Sequence, residues 1–280
     1  MTRIALLTGS ELRHEFFRKF IASRPHQSTV LTVCEGQEGN QRAVTEARAS
    51  GITAIERAHL DSRAESEEDF FRPFAATTED RSNPIYIPRG QLNSESVVDA
   101  VLAAEPDVLA AYGCSIVTGR LLEAYRGRFL NAHLGLSPYY RGSGTNFWPL
   151  VNGEPEYLGV TFMHIDAGVD AGEIIHQIRP RIMANDMPHQ IGNRLILDMA
   201  LVYAEMMVRL PSLEAMPQPT EPANGRVYRK KDFSEEATQK LYNNFEKGMI
   251  QRYLQTKRDR DQRVPIVINP KVPSVEDLHY

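Results

Sequence analysis

Phe129-Leu130-Asn131-Ala132-His133-Leu134 is an apolar run interrupted at alternate positions by two polar side chains, the pattern of a β-strand. On a strand, Asn131 and His133 emerge on one face while Leu130, Ala132 and Leu134 take the other. Upstream, Val108 to Tyr112 reads as a buried strand and Val117 to Tyr125 as a short helix. Downstream, Gly135 to Gly153 is rich in Gly, Pro and Tyr and reads as a long ordered loop. Gly159 to Ile165 and Ile174 to Ile178 are then two strands joined by Asp166-Ala-Gly-Val-Asp170-Ala-Gly172, a tight turn that projects Asp170.

The same alternation of strand and helix extends to the first residue. Thr2 to Thr8 is a largely apolar strand followed by a helix with Leu12, Phe16, Phe17 and Phe20 on one face, and Thr29 to Cys34 is a second strand. Gln41 to Ser50 reads as a short exposed helix, and Asp61 to Asn83 as a charged helical insertion whose Phe70, Phe71 and Phe74 pack on the core. Asn93 or Ser94 caps a helix that Pro106 stops, and His189 to Leu210 is a long amphipathic helix. This order predicts an α/β fold, a Rossmann-like, mostly parallel sheet flanked by helices. Residues 1–210 form the expected catalytic domain, 211–224 a Pro-rich linker, and 225–280 a small C-terminal extension.

Composition narrows the class. With 280 residues and 42% hydrophobic content the chain can bury a sizeable core, which argues against disorder. Cys34 and Cys114 are too few for a disulfide framework and imply a reducing, cytoplasmic setting. Met1 to Gly9 reads as a first strand rather than a leader peptide, and Arg194, Asp198 and Glu205 argue against a membrane span in the most apolar helix. The net charge of -4 gives no general attraction for nucleic acid. The excess of eleven Lys and Arg over six Asp and Glu between Arg226 and Arg263 reads as a solvated helix face. Val264, Ile266, Val267 and Ile268 near the C-terminus have two readings, a cover for the domain's own edge or a contact in a homodimer.

An imidazole exchanges protons near neutral pH, an amide donates to an oxyanion, and a carboxylate orients the imidazole. Asn131, His133 and Asp170 therefore suit acyl transfer. An isolated Asn-x-His is as compatible with a hydrogen-bonded strand end. The surrounding motifs decide: Leu136-Ser-Pro-Tyr-Tyr-Arg-Gly142, Gly159-Val-Thr161 and Asp166-x-Gly-x-Asp170-x-Gly172 follow in order.

In order and spacing these motifs resemble the folate-dependent formyltransferase family, which includes glycinamide ribonucleotide, methionyl-tRNA and sugar N-formyltransferases. The resemblance implies the formyltransferase fold, 10-formyltetrahydrofolate as cosubstrate, an amine acceptor and no metal. It implies that Asn131 and protonated His133 stabilise the oxyanion and that Asp170 supports His133 and helps deprotonate the amine. It places the folate against Leu109, Tyr112, Ile116 and Ala167. Tyr139, Tyr140 and Arg141 lie in the loop expected near the acceptor, where the two tyrosines shape its entrance or pack the loop and Arg141 binds an anionic substrate group or anchors the loop by hydrogen bonds.

Departures from the family narrow the acceptor. Thr8-Gly9-Ser10-Glu11-Leu12 has a single glycine and lacks the Gly-rich phosphate loop of the glycinamide ribonucleotide enzymes. The stretch after Pro222, about 60 residues, is below the commonest domain size and differs from the basic barrel of methionyl-tRNA formyltransferases. Arg226-Val-Tyr-Arg-Lys-Lys-Asp-Phe233 looks like the start of the short extension of sugar N-formyltransferases. The expected acceptor is an amino sugar, free or nucleotide-linked, and nucleic acid and membrane are not expected partners. A 10-formyltetrahydrofolate hydrolase and a non-catalytic folate-binding protein are the alternatives. Gly142-Ser-Gly144-Thr-Asn-Phe147 does not match a dinucleotide fingerprint, and His164-x-Asp166 reads as a strand end rather than a metal site.

Overall fold

The structure is a computed structural model and describes residues 1–36, 51–165, 172–219 and 225–278. Largely apolar runs build the central strands: β1 (Thr2–Gly9), β2 (Gln27–Glu35), β3 (Pro84–Ile87), β4 (Val108–Tyr112), β5 (Phe129–His133), β7 (Val160–His164) and β8 (Ile174–Ile178). They form a seven-stranded sheet in the order β3-β2-β1-β4-β5-β7-β8. The first five are parallel, and β7 and β8 close the far side antiparallel.

Neighbouring residues of one strand serve opposite cores, as the pleat requires. Leu6, Ala110 and Leu130 face α1 (Leu12–Ser23), α2 (Ala54–Thr77) and α6 (Pro188–Arg209). Leu7, Leu109, Ala111 and Phe129 face α3 (Glu95–Ala103) and α4 (Arg120–Ala124). Asn131 and His133 share the side of Phe129. Tyr203 of α6 clips the opposite side of the sheet, its hydroxyl 3.1 Å from the Ala111 carbonyl oxygen and 2.9 Å from that of Leu130.

Several boundaries differ from the sequence expectation. α2 starts before the acidic stretch because Thr53 and Glu56 form a capping box, Thr53 N–H donating to Glu56 Oε2 at 2.8 Å. α4 is shorter than Val117–Tyr125 because the Asn93 side chain binds the Ile116 carbonyl (2.9 Å) and the Thr118 N–H (2.8 Å) and holds that backbone out of a helix. The stretch Gly135–Gly153 is not wholly loop: it contains β6 (Tyr140–Gly142) and α5 (Trp148–Asn152). The partner of β6 is distant, β9 (Arg226–Tyr228), so no local period announces it. The expected helix at 41–50 lies outside the described residues.

The stretch read as a linker is pinned at its near end, where Ile174 and Met216 exchange backbone hydrogen bonds of 2.8 Å on the outer edge of β8. Further along that edge Val267 pairs with Gln177, its carbonyl oxygen accepting the Gln177 N–H at 2.8 Å. Val267 of the apolar tail thus covers the chain's own sheet edge, while Ile268 is 60% exposed. Between these two segments, α7 (Glu235–Glu246) and α8 (Met249–Gln262) pack Leu241, Met249 and Ile250 on Trp148, Leu150 and Val151 of α5. α9 (Val275–Leu278) returns to α6. No helix of the described residues is long and apolar enough to cross a membrane.

Three imidazoles, His176 and His59 buried and His189 partly so, make this packing acid-sensitive. His176 accepts the Asn269 N–H at Nδ1 (3.1 Å), and burial holds its pKa down to about 4. His59, 3.0 Å from the Tyr242 hydroxyl at Nδ1, is lowered by burial to about 4, and His189, whose ring centroid lies 4.5 Å from that of His59, to about 3. An unfolded imidazole titrates at about 6.5, so the unfolded chain takes up these protons first. Stability is therefore complete above pH 6.5 and lost as the pH falls towards 4, with about 3 kcal/mol attributable to His176 alone. Thermal unfolding midpoints should fall across that window, and His176→Leu should remove part of the slope. A midpoint independent of pH would contradict this.

Candidate active site

The parallel strands β1, β4 and β5 end on one rim of the sheet, next to the point where the chain, having wound outward to β3, returns across β1 to β4. In doubly wound sheets ligands gather at that rim. β5 delivers Asn131 and His133 there on one face. Asn131 is half-buried, and its side-chain amide makes no hydrogen bond to another described residue. His133 is 7% exposed, and its Nε2 lies 3.2 Å from the Tyr140 carbonyl oxygen. A carbonyl only accepts, so Nε2 carries the hydrogen of this contact. Gly135 backs the ring: a Cβ there would sit 2.6 Å from Nε2.

The other residues singled out from the sequence are distributed as follows. Tyr139 is half-buried, and its hydroxyl donates to the Pro265 carbonyl oxygen at 3.1 Å. Tyr140 is 1% exposed, and its hydroxyl donates to Glu154 Oε2 at 2.6 Å and accepts from Asn152 and Arg226. Burial and the neighbouring Glu154 carboxylate push that phenol up in pKa. Tyr140 thus offers the site its backbone carbonyl and commits its ring to the packing of β9. Arg141 is half-buried, its Nε enclosed without a hydrogen-bond partner among the described residues. Leu109 is wholly enclosed between the sheet and α3, and Tyr112 is 2% exposed with its ring against His14 and Phe17. Ile116 is 64% exposed on the loop after β4. Asp170 and Ala167 lie outside the described residues.

Of the groups that shape the rim, Thr161 stood in a quoted motif, but Glu35 and Gln177 were not singled out from the sequence. Glu35, at the end of β2, is buried and accepts the backbone N–H groups of Gly90 (2.7 Å) and Ser115 (2.5 Å), fixing the loop that presents Ile116. The Cys114 thiol beside it is pushed up to about 12 by burial and by the Glu35 carboxylate, which makes it a poor nucleophile. Thr161 and Gln177, both buried, hold the loop after His133. Gln177 carried no signal because a polar residue in an edge strand reads as solvent-facing.

The formyl transferase family model matches residues 3–205, and the chain belongs to that family. Among curated proteins the chain is similar to the methionyl-tRNA formyltransferase of Thermus thermophilus, 33% identical over 151 residues that make up 53% of this chain and 48% of that one. The chain spans less than half the length of the curated relatives it matches. Its fold is similar to glycinamide ribonucleotide transformylase 1 from Symbiobacterium toebii, with a TM-score of 0.54 at 16% identity, covering 77% of this chain and 94% of that one. It is likewise similar to an N-formyltransferase from Helicobacter canadensis solved with folinic acid and dTDP-3-aminofucose, with a TM-score of 0.54 at 13% identity, covering 86% and 79%. The formyltransferase fold expected from the motifs is the fold observed.

Proposed function

We propose that the chain transfers a formyl group from 10-formyltetrahydrofolate to the primary amine of a small metabolite, an amino sugar or a nucleotide-linked amino sugar. The observation that carries this reading is the pairing of Asn131 and His133 on one face at the end of β5, the amide without a described partner and the imidazole held at Nε2. When bound, the folate supplies an activated formyl carbon. Asn131 donates an N–H to the formyl oxygen as charge builds on it, and a protonated His133 adds its own charge. Asp170, assigned from sequence, supports His133 and helps remove the proton of the attacking amine.

The residues present fit the folate. Exposed Ile116 supplies an apolar surface that a flat heteroaromatic ring can cover, whereas Leu109 and Tyr112 would act from behind, as the support of that wall. A small acceptor is supported by the residues after Gly225, which lie as β9, α7 and α8 against the loop carrying Tyr139, Tyr140 and Arg141. The Helicobacter canadensis protein, of the same fold, was solved with a folate and a nucleotide-linked amino sugar, which favours the same pair here. The test is a mass-spectrometric panel of amino sugars and nucleotide-linked amino sugars incubated with 10-formyltetrahydrofolate and the protein. At least one should gain a formyl group. Formylation of methionyl-tRNA in place of every sugar would overturn the acceptor class.

A further inference from the structure

We infer that Gln177 is a positioning residue that couples the C-terminal segment 264–269 to the loop holding His133. Gln177 sits on the edge strand β8 yet is 1% exposed, because both ends of its amide are engaged. On one side, its Oε1 accepts the Val267 N–H at 2.9 Å, while its backbone N–H donates to the Val267 carbonyl at 2.8 Å. On the other side, its Nε2 donates to the Ser137 carbonyl at 2.8 Å and to Thr161 Oγ1 at 2.9 Å.

Thr161 passes the constraint on. Its hydroxyl is wholly buried, donates to the Gly135 carbonyl at 2.7 Å and accepts the Ser137 N–H at 2.9 Å. Gly135 lies against the His133 ring, and its N–H bonds the His133 carbonyl at 2.9 Å. Five residues on, the Tyr140 N–H returns to the Leu136 carbonyl at 3.0 Å, which sets the Tyr140 carbonyl that receives His133 Nε2. The tail is fixed to the same loop a second time through the Tyr139 hydroxyl on the Pro265 carbonyl. A polar chain in which every buried member is satisfied behaves as one rigid unit. Val267, Gln177, Thr161 and the backbone of the 135–140 loop form such a unit, from which the buried Ser137 hydroxyl, without a partner among the described residues, stands apart, and the tail is its outer end.

The inference rests on His133 as the working imidazole for its functional meaning, but its test does not require turnover. In protein labelled with ¹⁵N-histidine, the His133 Nε2–H resonance, assigned by its disappearance in His133→Ala, reports the bond to the Tyr140 carbonyl. Val267→Pro deletes the N–H that Gln177 accepts, and Val267→Ala keeps it. Loss of one such hydrogen bond should raise the exchange rate of the Nε2 proton about tenfold in Val267→Pro and leave it unchanged in Val267→Ala. Gln177→Glu keeps an acceptor for Val267 but loses the donor to Ser137 and Thr161, and should give the same acceleration if the proline variant does not fold. Unchanged exchange in either folded variant would overturn the coupling. Full formyl transfer by His133→Ala would instead overturn the catalytic reading and leave the coupling standing.

Discussion

His133→Ala is expected to lower kcat for formyl transfer by about 10²–10⁴-fold, the range for removing a general acid–base group. Asn131→Ala should cost about 10²–10³-fold, as for one oxyanion donor. The two losses should combine less than additively, because both groups act on the same developing charge. The KM for folate should change little, since Ile116 and the Glu35-braced loop follow β4, whereas Asn131 and His133 stand on β5. Both variants should fold: Asn131 is half-buried without a described side-chain partner, and His133 gives up its 3.2 Å bond to Tyr140. Steady-state kinetics beside circular dichroism checks this, and a folded His133→Ala with full activity would refute the assignment.

The largest stability effect is expected at Gly142. Its φ of +89° lies in the left-handed region, and a Cβ there would stand 2.2 Å from the Tyr228 carbonyl oxygen, a backbone atom that cannot swing aside. That carbonyl also accepts the Ser143 N–H at 2.8 Å, so relief of the clash breaks the β6–β9 pairing. The pairing seats Tyr228 against Trp148, with ring centroids 4.2 Å apart and planes within 7°. Backbone strain and overpacking together should make Gly142→Ala cost about 2–5 kcal/mol. Activity should fall as well, because Tyr140 in the same strand holds His133 through its carbonyl. Thermal denaturation of the variant at the wild-type midpoint would contradict this.

What was legible in the sequence follows from how local each signal was. Val108–Tyr112 read correctly because a strand buried on both faces is apolar throughout, and the Asn131/His133 pair because alternation survives in a single strand. The β6–β9 pairing was illegible: three residues have no period, and the partner lies more than eighty positions away. Gln177 and Glu35 were illegible for a related reason, since what buries them is contributed by Val267, Ser137, Gly90 and Ser115, all remote in sequence. Tyr140 was noticed for its ring, whereas His133 meets its carbonyl, which any residue type supplies. The motifs around Asn131 carried the family because they join chemistry to backbone geometry in a fixed order. The acceptor was not fixed in the same way, since Arg141 and the residues after Gly225, proposed to lie near it, come from segments with no comparable motif.

The most direct measurement is the fate of the formyl carbon in the acceptor panel, run with ¹³C-formyl-labelled 10-formyltetrahydrofolate and the wild-type protein. Transfer requires the label to appear as a formamide on an amino sugar, with formate staying at background until that amine is added. Label released as formate at the same rate with and without amine would mean that water is the acceptor, and would contradict transfer to an amine.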